Sequence, residues 1–196
     1  MELRLQHKVV MVADGPAGIR DAVCGALESE GAIPVVLTGL TDATSCRRAV
    51  QGVFIQYGRI DGLVGQVGLA GNLETGTSHN YVLSQTAMNQ LKAVAGSVVN
   101  IISEAADIVG ANHDAYEKVG GLRFGMTAAW AAELRHCGIR VNCLVVSEKP
   151  PAETIADTVL FLLSEKSSGI NAVHLYVDGG KTILNRKRNL MDGIEL

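Results

Sequence analysis

The feature that most constrains this chain is a recurring pair: a short apolar run, then a stretch with apolar residues at helical spacing. Val9 to Val12 is an uninterrupted apolar run of strand length after a polar start. Asp14-Gly15-Pro16-Ala17-Gly18 reads as a turn. Ile19, Ala22, Val23, Ala26 and Leu27 then recur on one helical face, with Gly31 as the stop. Ile33 to Leu37 predicts a second strand. Thr41 and Asp42 are candidate caps for a second helix with Ala43, Cys46, Ala49, Val50, Val53 and Phe54 on its apolar face and Gly58 at its end. Ile60 to Val67 is the third strand. Apolar strands separated by helices argue for a parallel sheet covered on both faces.

The alternation continues. Residues 80–95 can form a helix, and Ser97 to Ser103 is the cleanest strand, with Val98, Val99, Ile101 and Ile102 around Asn100. A long helix is expected over 115–136, with Val119, Leu122, Met126, Ala129 and Trp130 inward. Ile139 to Val146 is a strand, and Pro150-Pro151 precede a helix built on Ile155, Val159, Leu162 and Leu163. Ala172 to Val177 is the last strand. The expectation is one α/β domain over 1–184, a Rossmann-like doubly wound parallel sheet of about six strands with helices on both faces. A basic tail over 185–196, with Arg186, Lys187 and Arg188, reads as a solvated terminus. Such sheets bind ligands at the carboxyl ends of their strands, where strand order reverses. The first strand-to-helix turn would place backbone N–H groups there, suited to a phosphate.

Composition narrows the function classes. A net charge of −3 argues against a nucleic-acid binder that relies on a basic surface, and 4% aromatics are too few for a base-stacking platform. No apolar run approaches the ~20 residues of a membrane span, and the first residues lack a signal-peptide apolar block. Cys24, Cys46, Cys137 and Cys143 have no C-x-x-C spacing. They read as reduced, mostly buried thiols of a cytoplasmic protein. The five histidines are scattered, so no metal site is expected.

Several ordered segments together resemble the short-chain dehydrogenase/reductase family. They are Lys8-Val9-Val10-Met11-Val12 with Ala17-Gly18-Ile19, Tyr57-Gly58-Arg59-Ile60-Asp61-Gly62-Leu63-Val64, Gly96-Ser97-Val98-Val99-Asn100-Ile101, Gly138-Ile139-Arg140-Val141-Asn142 and Val177-Asp178-Gly179-Gly180. The segments Glu30 to Val36, Glu133-Leu134-Arg135 and Val177 to Gly180 resemble most closely the bacterial L-fucose-type sugar dehydrogenases. The resemblance implies NAD or NADP as cofactor, with Gly15, Gly18, Ile19 and Gly68 near it, and a small-molecule alcohol or sugar as substrate. It places the catalytic serine at Ser103 and the catalytic tyrosine at Tyr116, thirteen residues on. In the implied mechanism the serine hydroxyl binds the substrate oxygen, and the tyrosine passes a proton while hydride moves to or from nicotinamide. It also implies a homodimer or homotetramer through the helix before Ser103 and the helix carrying Tyr116, where Tyr81, Met126 and Trp130 supply apolar material.

The chain departs from the family at the residues that carry the chemistry. The Y-x-x-x-K motif has Gly120 in place of its lysine. A free tyrosine titrates near ~10 and needs a nearby cation to ionise at neutral pH. The glycine motif T-G-x-x-x-G-I-G reads Ala13-Asp14-Gly15-Pro16-Ala17-Gly18-Ile19-Arg20, matching only at Gly18 and Ile19. N-N-A-G reads Gly65-Gln66-Val67-Gly68. Gly39 stands where the family has an adenine-side acid. Between Leu37 and Asp42 the chain is too short for the family's additional helix and edge strand, and between Pro150 and Ile155 too short for its substrate-covering lid. Nicotinamide binding is therefore expected to be weak or absent. Three readings follow: an NAD(P)-dependent oxidoreductase of a sugar or secondary alcohol with impaired activity, a catalytically inactive binding or oligomer-stabilising protein, and a cofactor-free acid/base enzyme using Ser103 and Tyr116.

Overall fold

The apolar runs form six strands: β1 (Val9–Ala13), β2 (Ile33–Leu37), β3 (Gly62–Val67), β4 (Ser97–Ser103), β5 (Arg140–Val146) and β6 (His174–Val177). The structure is a computed structural model that describes residues 2–67, 73–103, 125–147 and 150–180. The strands make one sheet in the order β2-β1-β3-β4-β5-β6, with every neighbouring pair parallel. The helices are α1 (Ala17–Ser29), α2 (Ala43–Tyr57), α3 (Leu73–Thr86), α4 (Met88–Ala93), α5 over 125–135 and α6 (Ala152–Leu163). This is the expected doubly wound α/β architecture.

β1 shows why the strands read as continuous apolar runs. Successive side chains of a strand point to opposite faces, and both faces here are covered. Val9, Met11 and Ala13 enter a core with α2, α3, α4 and α5. Val10 and Val12 enter the opposite core with α1 and α6. All five β1 residues are buried. Asp61 fixes the start of this strand: its buried carboxylate accepts the Val9 N–H at 2.9 Å and holds Arg59 through two hydrogen bonds at 2.8 and 2.6 Å. β2 is a sheet edge, and Pro34 sits on it. The Ile33 N–H donates inward to Lys8 O, so position 34 faces outward, where a missing N–H costs no ladder bond and discourages pairing with another chain.

Several helix details differ from the sequence expectation. The helix expected over 80–95 begins at Leu73 and is divided into α3 and α4; the polar stretch Glu74 to Asn80 carries no apolar stripe to announce it. Phe54 is exposed, because Cys46, Val50 and Val53 already fill the buried face of α2. Ala129 is exposed too, and the inward face of α5 is Trp130, Ala131 and Leu134. Val119 and Leu122 lie outside the described residues. Ala172 has a positive φ of 61°, unfavourable for a strand residue, and β6 starts only at His174. The expected caps of α2 are present: the Asp42 carboxylate accepts the Ser45 N–H at 2.7 Å, and Gly58 closes the helix at φ 71°. That hydrogen bond holds the Asp42 carboxyl below its ordinary range. The cap is therefore complete at neutral pH and is lost as pH falls through the depressed value.

Arg140 closes the other end of the sheet. From the first position of β5 its guanidinium donates to Leu162 O at 2.9 Å, Ser164 O at 3.1 Å, Ser167 O at 3.2 Å and Ser167 Oγ at 2.8 Å. These carbonyls lie at and beyond the end of α6, where a cation is favoured by the helix dipole. Burial lowers the guanidinium pKa, but the group remains charged at physiological pH. Charged hydrogen bonds of this kind contribute ~1.5–3 kcal/mol, and orphaned carbonyls add a penalty. Arg140→Met is expected to lower unfolding free energy by about 2–4 kcal/mol in a urea titration at unchanged m-value; a loss below about 0.5 kcal/mol would contradict this role.

Candidate functional site

The chain passes from β1 outward to β2, then crosses back over β1 to β3. Helices α1 and α2 therefore leave on opposite faces, and the carboxyl ends of β1, β2 and β3 open a cleft between them. Its volume is about 230 Å³, and its lining includes Ala13, Asp14, Leu40, Gln66, His79 and Asn80.

The turn after β1 forms the floor on one side. Gly15 packs directly on β3: a Cβ there would overlap the side-chain amide of Gln66. The Gly15 N–H donates to Asp14 Oδ1 at 3.0 Å, and the same oxygen accepts from Arg20 Nη1 at 2.9 Å. Arg20 Nε donates to Asp21 Oδ1 at 2.9 Å. The hydrogen bonds that Arg20 donates to Asp21 and Asp14 raise its pKa further above its already high range. Gly18 and Ile19 lie in the first turn of α1. Gly18 faces open space, whereas the Ile19 side chain packs against the α1–α6 core, so only the backbone of Ile19 can serve a ligand.

The opposite wall includes Gln66 and Asn80 and is backed by Asn100. Gln66 of β3 is 7% exposed, Asn80 of α3 2% and Asn100 of β4 2%. Gln66 Nε2 reaches Ala13 O at 3.5 Å, but among the described residues Gln66 Oε1, Asn80 Nδ2 and Asn100 Oδ1 have no hydrogen-bond partner. Gly65 is what allows them together: a Cβ at that position would overlap the Asn80 amide and lie 2.7 Å from Asn100 Oδ1. Buried polar groups are normally paired, and each unpaired one costs about 1–3 kcal/mol. These unpaired atoms lie against Gly15 and Gly65 rather than in the open cleft, so they are a packing cost of the close approach. Sequence reasoning named Gln66 and Asn100 but did not assign them to a site; a polar amide inside an apolar strand was the available signal. Asn80 had none.

Of the residues expected at the site, Gly15, Gly18 and the backbone of Ile19 meet at the turn beside the cleft. Ser103 is the last residue of β4, opposite Val146 in the ladder. Tyr116, Gly68 and Gly120 lie outside the described residues. Cys46, Cys137 and Cys143 are buried and Cys24 is half-buried, and none of the four forms a disulfide. Among the described residues no group of three or more His, Cys, Asp or Glu side chains is placed to hold a metal, and no helix is long and apolar enough to cross a membrane. The crowding at Gly65 is testable. Gly65→Ala is expected to cost about 1–3 kcal/mol of stability. In an Asn80→Ala background the same change is expected to cost clearly less, because the overlapping amide is gone; equal costs in both backgrounds would contradict the packing described.

Residues 3–148 match the family described as short chain dehydrogenase. A D-threitol dehydrogenase of Mycolicibacterium smegmatis is 26% identical over 250 aligned positions, covering 93% of this chain and 95% of that protein. An alignment of that length accommodates a 196-residue chain only with internal gaps, so the relative carries segments that this chain lacks. A trans-4-hydroxycyclohexanecarboxylate dehydrogenase of Sinomonas cyclohexanicum is 29% identical over 183 positions, with 76% of this chain and 71% of that protein covered. Among solved structures, an NADH-dependent reductase complexed with NAD superposes with a TM-score of 0.78 over 92% of this chain and 99% of that one, at 18% identity. The reversed strand order and the family match over residues 3–148 agree: the chain belongs to the short-chain dehydrogenase family.

Proposed function

We propose that this chain is an oxidoreductase of a sugar or other secondary alcohol by lineage, with NAD or NADP affinity and turnover well below those of an intact family member. The named activities of the threitol and hydroxycyclohexanecarboxylate relatives support the substrate class, and the L-fucose-type branch belongs to the same reading. Ser103 is assigned to hold the substrate oxygen and Tyr116 to hold and move its proton. A cytoplasmic setting with reduced thiols is part of the proposal.

The observation that carries the weakened affinity is the turn after β1. The cleft of about 230 Å³ at the ends of β1 and β3 is assigned to the nucleoside end of a nicotinamide dinucleotide. The turn does not suit its pyrophosphate, because the Asp14 carboxylate already accepts the Gly15 N–H and the Arg20 guanidinium. Gly39 offers no side chain to the nucleoside, and Gly120 none to Tyr116. Losing one such contact typically costs ~1–3 kcal/mol, so several losses weaken binding by orders of magnitude even if they are not fully additive. NADH and NADPH followed by fluorescence titration are expected to bind far more weakly than micromolar. Gly120→Lys combined with Asp14→Gly is expected to recover binding before rate, since the short segment from Pro150 to Ile155 still leaves the substrate loosely held. Micromolar NADH affinity in the unmodified protein, with alcohol-dependent NAD reduction abolished by Tyr116→Phe, would refute the proposal.

The same reading includes a homodimer or homotetramer through α3 and α5. Tyr81 stays partly exposed and stacks on Trp130 with ring centroids 5.4 Å apart, and Gln85 donates to Glu133 at 3.0 Å across the two helices. Light scattering at micromolar concentration is expected to give a multiple of the 20.7 kDa chain mass; a purely monomeric mass would reject this assembly.

A further inference from the structure

The outward face of α2 carries both apolar surface and charge of a single sign. Arg47 and Phe54 lie two turns apart, as do Arg48 and Ile55, so each arginine stands in line with an apolar residue and Gln51 lies between the two rows. All five residues are exposed, Ile55 at 84%. A single exposed apolar residue is ordinary, but here two adjoin. Gly52, one turn before Ile55, puts no side chain in the way of an approaching partner. α2 contains no Asp or Glu, and among the described residues neither Arg47 nor Arg48 forms an ion pair. Asp42, at the start of the helix, is bonded to the Ser45 N–H. Interfaces are enriched in Phe and Arg, and opposite charge selects the partner. This face therefore fits a segment that is both apolar and acidic.

One stretch of the chain itself has that make-up. Leu190-Met191-Asp192-Gly193-Ile194-Glu195-Leu196 interleaves two acids with four apolar residues, and it lies outside the described residues. We propose that the outward face of α2 docks this segment of a second copy of the chain, with Asp192 and Glu195 pairing with Arg47 and Arg48 and with Ile194 and Leu196 covering Phe54 and Ile55. The stretch from Asp192 to Leu196 can span about 13 Å, enough to cover the two turns from the arginines to the apolar pair. A second α2 is the wrong occupant, because it would bring like charges together with no acid between them. The approach from within one chain is obstructed, because α3 and α5 stand on the same face of the sheet between β6 and α2. Arg186, Lys187 and Arg188 come at least four residues before Asp192 and need not meet the α2 arginines.

The test mixes full chains in an NMR tube, each first shown by thermal melt to be folded. A ¹⁵N-labelled chain carrying Asp192→Lys with Glu195→Lys keeps α2 intact but has no acidic segment of its own to dock. Adding unlabelled, unmodified chain is expected to move its Gly52 and Ile55 backbone signals saturably, and added salt is expected to weaken the effect. A labelled chain carrying Arg47→Glu with Arg48→Glu is expected to show no such shift with unmodified chain. It is expected to regain the shift with unlabelled chain carrying Asp192→Lys with Glu195→Lys, because the charges are then opposite again. Absence of a saturable shift at Gly52 and Ile55 in the first mixture would overturn the proposal. So would a shift that survives reversal of only one charge set, or failure of the paired reversals to restore it. The α3–α5 assembly fails separately, on a purely monomeric mass by light scattering, and the weak-dinucleotide reading on micromolar NADH affinity with alcohol-dependent turnover.

Discussion

Everything at the site depends on one topological constraint: the chain reverses direction across β1. Because β2 lies on one side of β1 and β3 on the other, α1 and α2 pack on opposite faces and cannot close over the strand ends between them. That constraint is held by packing. Val9, Met11 and Ala13 commit one face of β1 to the α2–α5 core, and Val10 and Val12 commit the other to the α1–α6 core. A slip of one residue would exchange the two sets. The Asp61 carboxylate, bonded to the Val9 N–H, fixes the register where β1 begins. The cleft opens where this register sets the strand ends, and the loop residues Asp14, Gly39, Leu40 and Thr41 line it.

What fills the cleft wall follows from glycine spacing. Gly65 lets the Asn80 and Asn100 amides approach β3, and Gly15 lets the first turn lie against Gln66. The family resemblance treats these positions as altered motifs. In this structure they form a packed polar wall whose unpaired atoms are several kcal/mol less comfortable than paired ones. Against it stands a turn whose charge is already spent internally between Asp14, Arg20 and Asp21.

Much of the fold was legible because burial on both faces leaves a direct mark on sequence. The six apolar runs gave all six strands within two residues at their boundaries, and Asp42 and Gly58 announced the ends of α2. Misreadings arose where a helix needs only a narrow buried stripe. Phe54 and Ala129 lie at helical spacing from the core yet face solvent, since their neighbours already saturate the contact. The start of α3 was missed because its first turns are polar. At the site, the departures at Asp14, Arg20, Gly65 and Gly39 were readable by comparison with a motif. The Asp14–Arg20 pair and the meeting of Gln66, Asn80 and Asn100 were not, because they join residues from separate elements, and contact between elements leaves no periodic signal.

The central claim is that the Asp14 carboxylate, which accepts the Gly15 N–H and the Arg20 guanidinium, occupies the turn after β1 in place of an external anion. A ¹⁵N-correlated NMR titration with inorganic pyrophosphate, in the unmodified chain and in Asp14→Ala, tests it most directly. The Gly15 backbone signal is expected to stay in place in the unmodified chain and to shift and saturate in Asp14→Ala. The side-chain signals of Asn142, whose amide is hydrogen-bonded to Ile170 O and the Val173 N–H, are expected to stay in place in both. A saturable Gly15 shift in the unmodified chain would contradict the account.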